Sequence, residues 1–111
     1  MGVAMTLKIV KLDGDLDFSR KAQIATLLAD ADNADIAIID LSDVSYIDSS
    51  CLSCLAIQKK TMHENGTAAV LRIAGASESV RRILQICGLD KTFEMYASLD
   101  EAQNAGAAYS R

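Results

Sequence analysis

The run Ile36 to Asp40, IAIID, constrains the fold more than any other stretch of the chain. It is short, continuously apolar up to its closing Asp40, and rich in β-branched residues. Such a run is the pattern of a strand covered on both faces, which places it at the centre of a parallel sheet. A sheet of that kind needs crossover helices, and the flanking sequence supplies them. From Phe18 the residues Phe18, Ala22, Ala25, Leu28 and Ala29 recur at helical spacing, with Asp17 placed to cap and Asp30 to Asn33 ending the run.

The same alternation continues downstream. After LSDVSYI the pattern turns helical from about Ser50, with Leu52, Leu55, Ala56 and the Lys59-Lys60 pair leading to a stop at Asn65-Gly66. Thr67 to Ala74 reads as a further buried strand, and Ser77 opens a helix whose Val80, Ile83, Leu84 and Cys87 share a face before Gly88 closes it. A short strand over Phe93 to Met95 precedes Ser98-x-x-Glu101, a capping box that starts a last, Ala-rich helix, and the tail AGAAYSR is expected to fray. Upstream, Met5 to Leu12 alternates apolar and Lys positions as a half-buried first strand or hairpin would, and Asp13-Gly14-Asp15 supplies a turn. The expected fold class is α/β: a mixed, mostly parallel sheet of four or five strands with about four helices packed over it.

At 111 residues, half of them hydrophobic, the chain suits one compact domain with a real core, here taken as 1–111 with its core over about 5–104. Lys and Arg number 11 against 15 Asp and Glu, with no basic stripe, which argues against nucleic acid as a partner. No apolar run approaches the roughly 18 residues needed to cross a bilayer, and no charged segment precedes an apolar one at the start. The expectation is a soluble, cytoplasmic protein without membrane insertion. Three cysteines, all in helical segments, fit free thiols in a reducing compartment.

The stretch Tyr46 to Leu55, YIDSSCLSCL, concentrates the chemistry of the chain. Asp48-Ser49-Ser50 follows the central strand and opens the second helix, the place where α/β proteins gather ligands. Free N–H groups and the positive end of the helix dipole would stabilise an anion there, including a phosphate carried by Ser50. A serine at a helix start is also a plain cap. Cys51-x-x-Cys54 adds two thiols on one helix face, and the dipole is expected to lower the pKa of Cys51. That allows a thiol redox sensor as a rival reading; the bland one makes Cys54 and Cys87 small core residues and Cys51 incidental. A redox enzyme of the thioredoxin type would need a cis-proline facing the motif, and the chain has no proline. Zinc would need a further ligand near the thiols, and His63 lies nine residues past Cys54 on the same helix. No metal or cofactor is expected, and no catalytic constellation is recognisable.

The sequence IDLSDVSYIDSSCLSCL resembles the signature of the STAS domain family, the anti-sigma factor antagonists, through Asp40, Ser42, Val44, Ile47, Asp48, Ser49, Ser50, Leu52 and Leu55. Gly14, Leu16 and Asp17 are similar to the family's Gly-x-Leu-Asp stretch, and the order of elements through residue 104 follows the family. The resemblance implies a STAS fold and a non-enzymatic binding module. In phospho-switching members the second serine of Asp-Ser-Ser, here Ser50, is phosphorylated by a partner that is both serine kinase and anti-sigma factor, and the phosphate disrupts binding. The implied partners are that anti-sigma factor and, in a resettable switch, a phosphatase. The implied partner-facing residues are Asp17, Asp48, Ser49, Cys51 and the exposed Gln58 and Lys59, with His63 beside them. Where the family carries glycines, this chain has Cys51 and Ser53, which adds side chains beside the phosphoacceptor. An alternative within the family is a non-phosphorylated subunit of an ABC-type lipid-transport complex or of a stress-signalling assembly.

Overall fold

The computed structural model describes residues 5–66 and 68–105. In chain order they form β1 (Leu7–Leu16), a 3-10 turn (Phe18–Arg20), α1 (Lys21–Ala29), β2 (Ile36–Ile47), α2 (Ser49–Asn65), β3 (Val70–Ala74), α3 (Glu78–Ile86), a second 3-10 turn (Leu89–Lys91), β4 (Glu94–Tyr96) and α4 (Leu99–Asn104). The sheet order is β1-β2-β3-β4, and every pairing is parallel. The expected architecture is present, in its four-stranded and fully parallel form among the described residues.

β2 shows why IAIID is apolar up to Asp40, which is buried at the end of the run, where its Oδ1 accepts the Ser42 N–H at 3.0 Å and its Oδ2 pairs with Lys11 at 3.5 Å. Ala37, Ile39 and Leu41 point into a large core with Ile24 and Leu28 of α1, Leu52, Leu55 and Met62 of α2, and Val80 and Leu84 of α3. Ile36 and Ile38 point the opposite way, into a smaller core under Ala102 of α4. Period-two alternation therefore buries both faces of the strand, three helices on one side and one on the other. Within the smaller core Arg72 of β3 is fully buried, its Nε donating to Glu94 Oε1 at 2.9 Å and its Nη1 to the Ala102 carbonyl at 2.8 Å.

Several local expectations are corrected. Asp13-Gly14-Asp15 is no turn: β1 continues to Leu16, with its register against β2 shifting between Lys11 and Asp13 and again between Gly14 and Asp15. Gly14 has a φ of 72°, so a glycine lets the strand bulge where an L-residue would be strained. The central strand does not stop at Asp40, since β2 runs on through LSDVSYI to Ile47. The first helix buries Ile24 and Leu28, whereas Ala22, Ala25 and Ala29 face solvent and Phe18 is 69% exposed. Cys87, expected in the core, is exposed at the end of α3. The third strand begins at Val70; Thr67, and the tail from residue 106, lie outside the described residues.

Gly75 follows β3 with a φ of 73°, and a Cβ there would meet Ser42 Cβ at 2.9 Å. Both the left-handed backbone and the close approach require glycine. Gly75→Ala should cost about 1–3 kcal/mol, read as a lowered urea midpoint. An unchanged midpoint would show that the exit from β3 has room this geometry denies it.

Candidate functional site

The end of β2 and the start of α2 form one rigid corner. Asp48 is extended, and its Oδ1 accepts the Cys51 N–H at 3.1 Å while its carbonyl accepts the Leu52 N–H at 3.0 Å. It is the helix N-cap. Its own N–H donates to the Leu16 carbonyl at 3.0 Å, fastening the end of β1 to the start of α2. Ser49 and Ser50 are then the first two residues of the helix, where backbone N–H groups have no intrahelical acceptor. Ser49 is exposed and Ser50 half-buried, while Cys51 and Leu52 turn into the core. Ser53, one turn on, is exposed and donates to the Ser49 carbonyl at 3.0 Å.

Asp17 belongs to the same corner. Its carbonyl accepts a hydrogen bond from Cys51 Sγ at 3.4 Å, across 34 residues of sequence. Its carboxylate caps the first 3-10 turn, accepting the Ser19 N–H at 3.0 Å and the Ser19 hydroxyl. The Ser19 hydroxyl bond, ahead of the other contributions, holds this carboxyl below its ordinary pKa.

Cys51 reverses its expected chemistry. Its side chain is fully buried, and burial first, with the Asp48 charge second, pushes the thiol up to about 11. Desolvation outweighs the helix dipole. Cys51 therefore crowds the core and not the surface beside Ser50, and the substitution that does face solvent is Ser53. Cys54 is also buried, and all three thiols are free. At neutral pH a thiol reagent should label Cys87 in the native protein and reach Cys51 and Cys54 only on unfolding, as mapped by peptide mass spectrometry. Labelling of Cys51 as fast as Cys87 would contradict its burial.

Gln58, expected on the exposed face of α2, is 5% exposed, and its Nε2 donates to Asp32 Oδ1 at 3.0 Å. It holds α2 to the loop after α1 and is no surface contact. Lys59 is half-buried, with its Nζ donating to the Thr92 carbonyl, and His63 is exposed. Two exposed apolar residues escaped the sequence reading. Phe18 is the neighbour of Asp17, and Ile57 is 60% exposed, seven residues after Ser50 and so on the same face of the helix two turns away. The signal for Ile57 was its place in line with Ser50 and Ser53; Phe18 gave none, because it matched the helical period.

Among the described residues, no group of three or more His, Cys, Asp and Glu is placed to hold a metal ion, and no helix is long and apolar enough to cross a membrane. What the corner offers is a capped helix start carrying accessible hydroxyls, with helix N–H groups that have no intrahelical acceptor behind them. These features define a small α/β domain whose accessible polar chemistry gathers at the start of its second helix. The chain belongs to the STAS domain family, whose model matches residues 3–102. It is 28% identical over 96 residues to the anti-sigma-F factor antagonist RsfB of Mycobacterium tuberculosis, covering 85% of this chain and 76% of that one. Its fold is similar to the crystal structure of an anti-sigma factor antagonist from Mycobacterium paratuberculosis, with a TM-score of 0.78 and 28% identity over 87% of this chain and 82% of the other. The phosphorylated form of the Bacillus cell fate determinant SpoIIAA shares the fold at a TM-score of 0.70 and 21% identity, over 96% of both chains.

Proposed function

We propose that this protein is a single-domain, cytoplasmic regulator of the anti-sigma factor antagonist type, which binds a kinase-type anti-sigma factor and loses that binding when Ser50 is phosphorylated. The observation that carries the reading is the placement of Ser50: second residue of a 17-residue helix, half-exposed, with its neighbours Asp48 and Cys51 already committed to the cap and the core. A phosphate there would meet free helix N–H groups, so the domain tolerates it, while a partner seated on the corner meets new charge and bulk. RsfB and the Mycobacterium paratuberculosis protein are both described as anti-sigma factor antagonists, and SpoIIAA is known in a phosphorylated form, which supports the same role here.

Asp17, Asp48 and Ser49 shape this face, Phe18 and Ile57 supply its apolar contacts, and Lys59 lies at its far end. Cys51 and Gln58 support it from beneath. A Cys51–Cys54 switch draws no support from two buried thiols of which one is pushed toward a pKa of about 11. The reading is tested by recovering the tagged protein with its partners from its own cells. A histidine-kinase-like ATPase should copurify, and a phosphatase acting on Ser50 would complete the cycle. Recovery of an ABC-type ATPase instead would replace this reading with that of a transport subunit.

A further inference from the structure

The half of α2 remote from Ser50 carries a second feature. Lys59, Lys60 and His63 lie within about one turn, and the second 3-10 turn brings Lys91 and Thr92 against them. Two adjoining hollows, of about 240 and 280 Å³, share Lys59, His63 and Thr92. Ala69, Leu71 and Phe93 floor the first, and Ala56 the second. Lys59 is already bonded to the Thr92 carbonyl, but Lys60, His63 and Lys91 are exposed and form no ion pair among the described residues. Glu94 borders the first hollow, and its Oε1 accepts from Arg72 at 2.9 Å and from the Tyr96 hydroxyl at 3.0 Å, so its charge is paired with the buried guanidinium. Glu64 and Asp90, next in sequence to His63 and Lys91, are the other acids at hand. In a chain of net charge −4 this groove concentrates positive charge over a small apolar floor.

We propose that the groove between α2 and the second 3-10 turn docks an extended, acidic segment of a protein partner. Cations on the rim over alanine, leucine and phenylalanine on the floor fit a segment in which acidic and apolar residues alternate, as successive side chains of an extended peptide do. Nucleic acid fits less well: Phe93 is 4% exposed and gives no surface for a base to stack on, and the overall charge is negative. Lys60 lies ten residues beyond Ser50, about 15 Å along the helix axis, so the groove adjoins the corner's face only at Lys59, and its rim residues Lys60 and Lys91 lie beyond that face.

The test is an NMR titration of the full chain with a short peptide alternating Glu and Leu and, in parallel, with oligothymidylate. The peptide should shift the amides of Lys59 to His63 and Lys91 to Phe93. Its dissociation constant should rise at least about tenfold in a Lys60→Ala, Lys91→Ala double variant and again at raised salt. Both substituted side chains are exposed, and an unchanged unfolding midpoint would show that the double variant is folded. Shifts gathered around Ser50 or scattered over the surface, equal affinity in the folded double variant, or oligothymidylate binding at these amides in place of the peptide would each overturn the proposal.

Discussion

Ser50→Asp should weaken binding to the anti-sigma factor by roughly a hundredfold, about 2.8 kcal/mol at 1.4 kcal/mol per tenfold, without unfolding the domain. The two halves of that expectation have separate causes. A carboxylate in the first turn of α2 interacts favourably with the helix dipole and should leave stability unchanged or raise it by about 0.3–1 kcal/mol. The same charge sits in the proposed partner face, where a partner must desolvate it or avoid it. Ser50→Ala should retain binding and refuse phosphate. Isothermal titration of the three proteins against the purified partner, alongside their urea midpoints, separates the effects. Equal affinity of the Asp variant and the parent would remove the switch, whatever the family does elsewhere.

The second large effect belongs to Arg72, on the opposite face of the sheet. Its guanidinium lies 5.6 Å from the centre of the Tyr96 ring, bonds Glu94, and reaches the Ala102 carbonyl in α4. Glu94 is partly exposed, its side chain 42% accessible, so water can take over its charge once the arginine is gone. The loss falls instead on the space beneath α4 and on the Ala102 carbonyl. Arg72→Ala should cost about 3–5 kcal/mol, a large share of the 5–15 kcal/mol typical of a domain. Arg72→Met, which fills more of the volume, should cost less, roughly 1–3 kcal/mol. In both variants the amides of α4 should exchange faster with deuterium than those of α2. A urea midpoint for Arg72→Ala that implies less than about 1 kcal/mol would show that α4 is held by its apolar contacts alone.

The features legible in the sequence are those decided by neighbours along the chain. IAIID announced its burial on both faces, and Ser77 and Ser98 announced the helices they start, because a cap bonds N–H groups only two or three residues ahead. Asp48 does the same for α2, and with it the position of Ser50 could be read to within a residue. Asp17 caps only the 3-10 turn that precedes α1, whose own N-cap is Arg20. What escaped was decided at a distance. Gln58 has the composition of a surface residue, and only Asp32, 26 residues earlier, makes its burial tolerable. Asp13-Gly14-Asp15 has turn chemistry, yet pairing with Asp43 to Tyr46 keeps it in the sheet as a bulge. Phe18 matched a helical period but stands in the 3-10 turn before α1, which points it outward. The dipole argument for Cys51 was sound as far as it went; the core packed around the thiol, which reverses the sign, is built from residues all along the chain.

The most direct test of the switch is phosphopeptide mapping after incubating the protein with its purified partner and ATP. The account predicts a single phosphate, on Ser50, absent from Ser50→Ala, with release of the partner as it accumulates. Phosphate on Ser49 or Ser53 with Ser50 unmodified, or a phosphorylated Ser50 that leaves the complex intact, would contradict it.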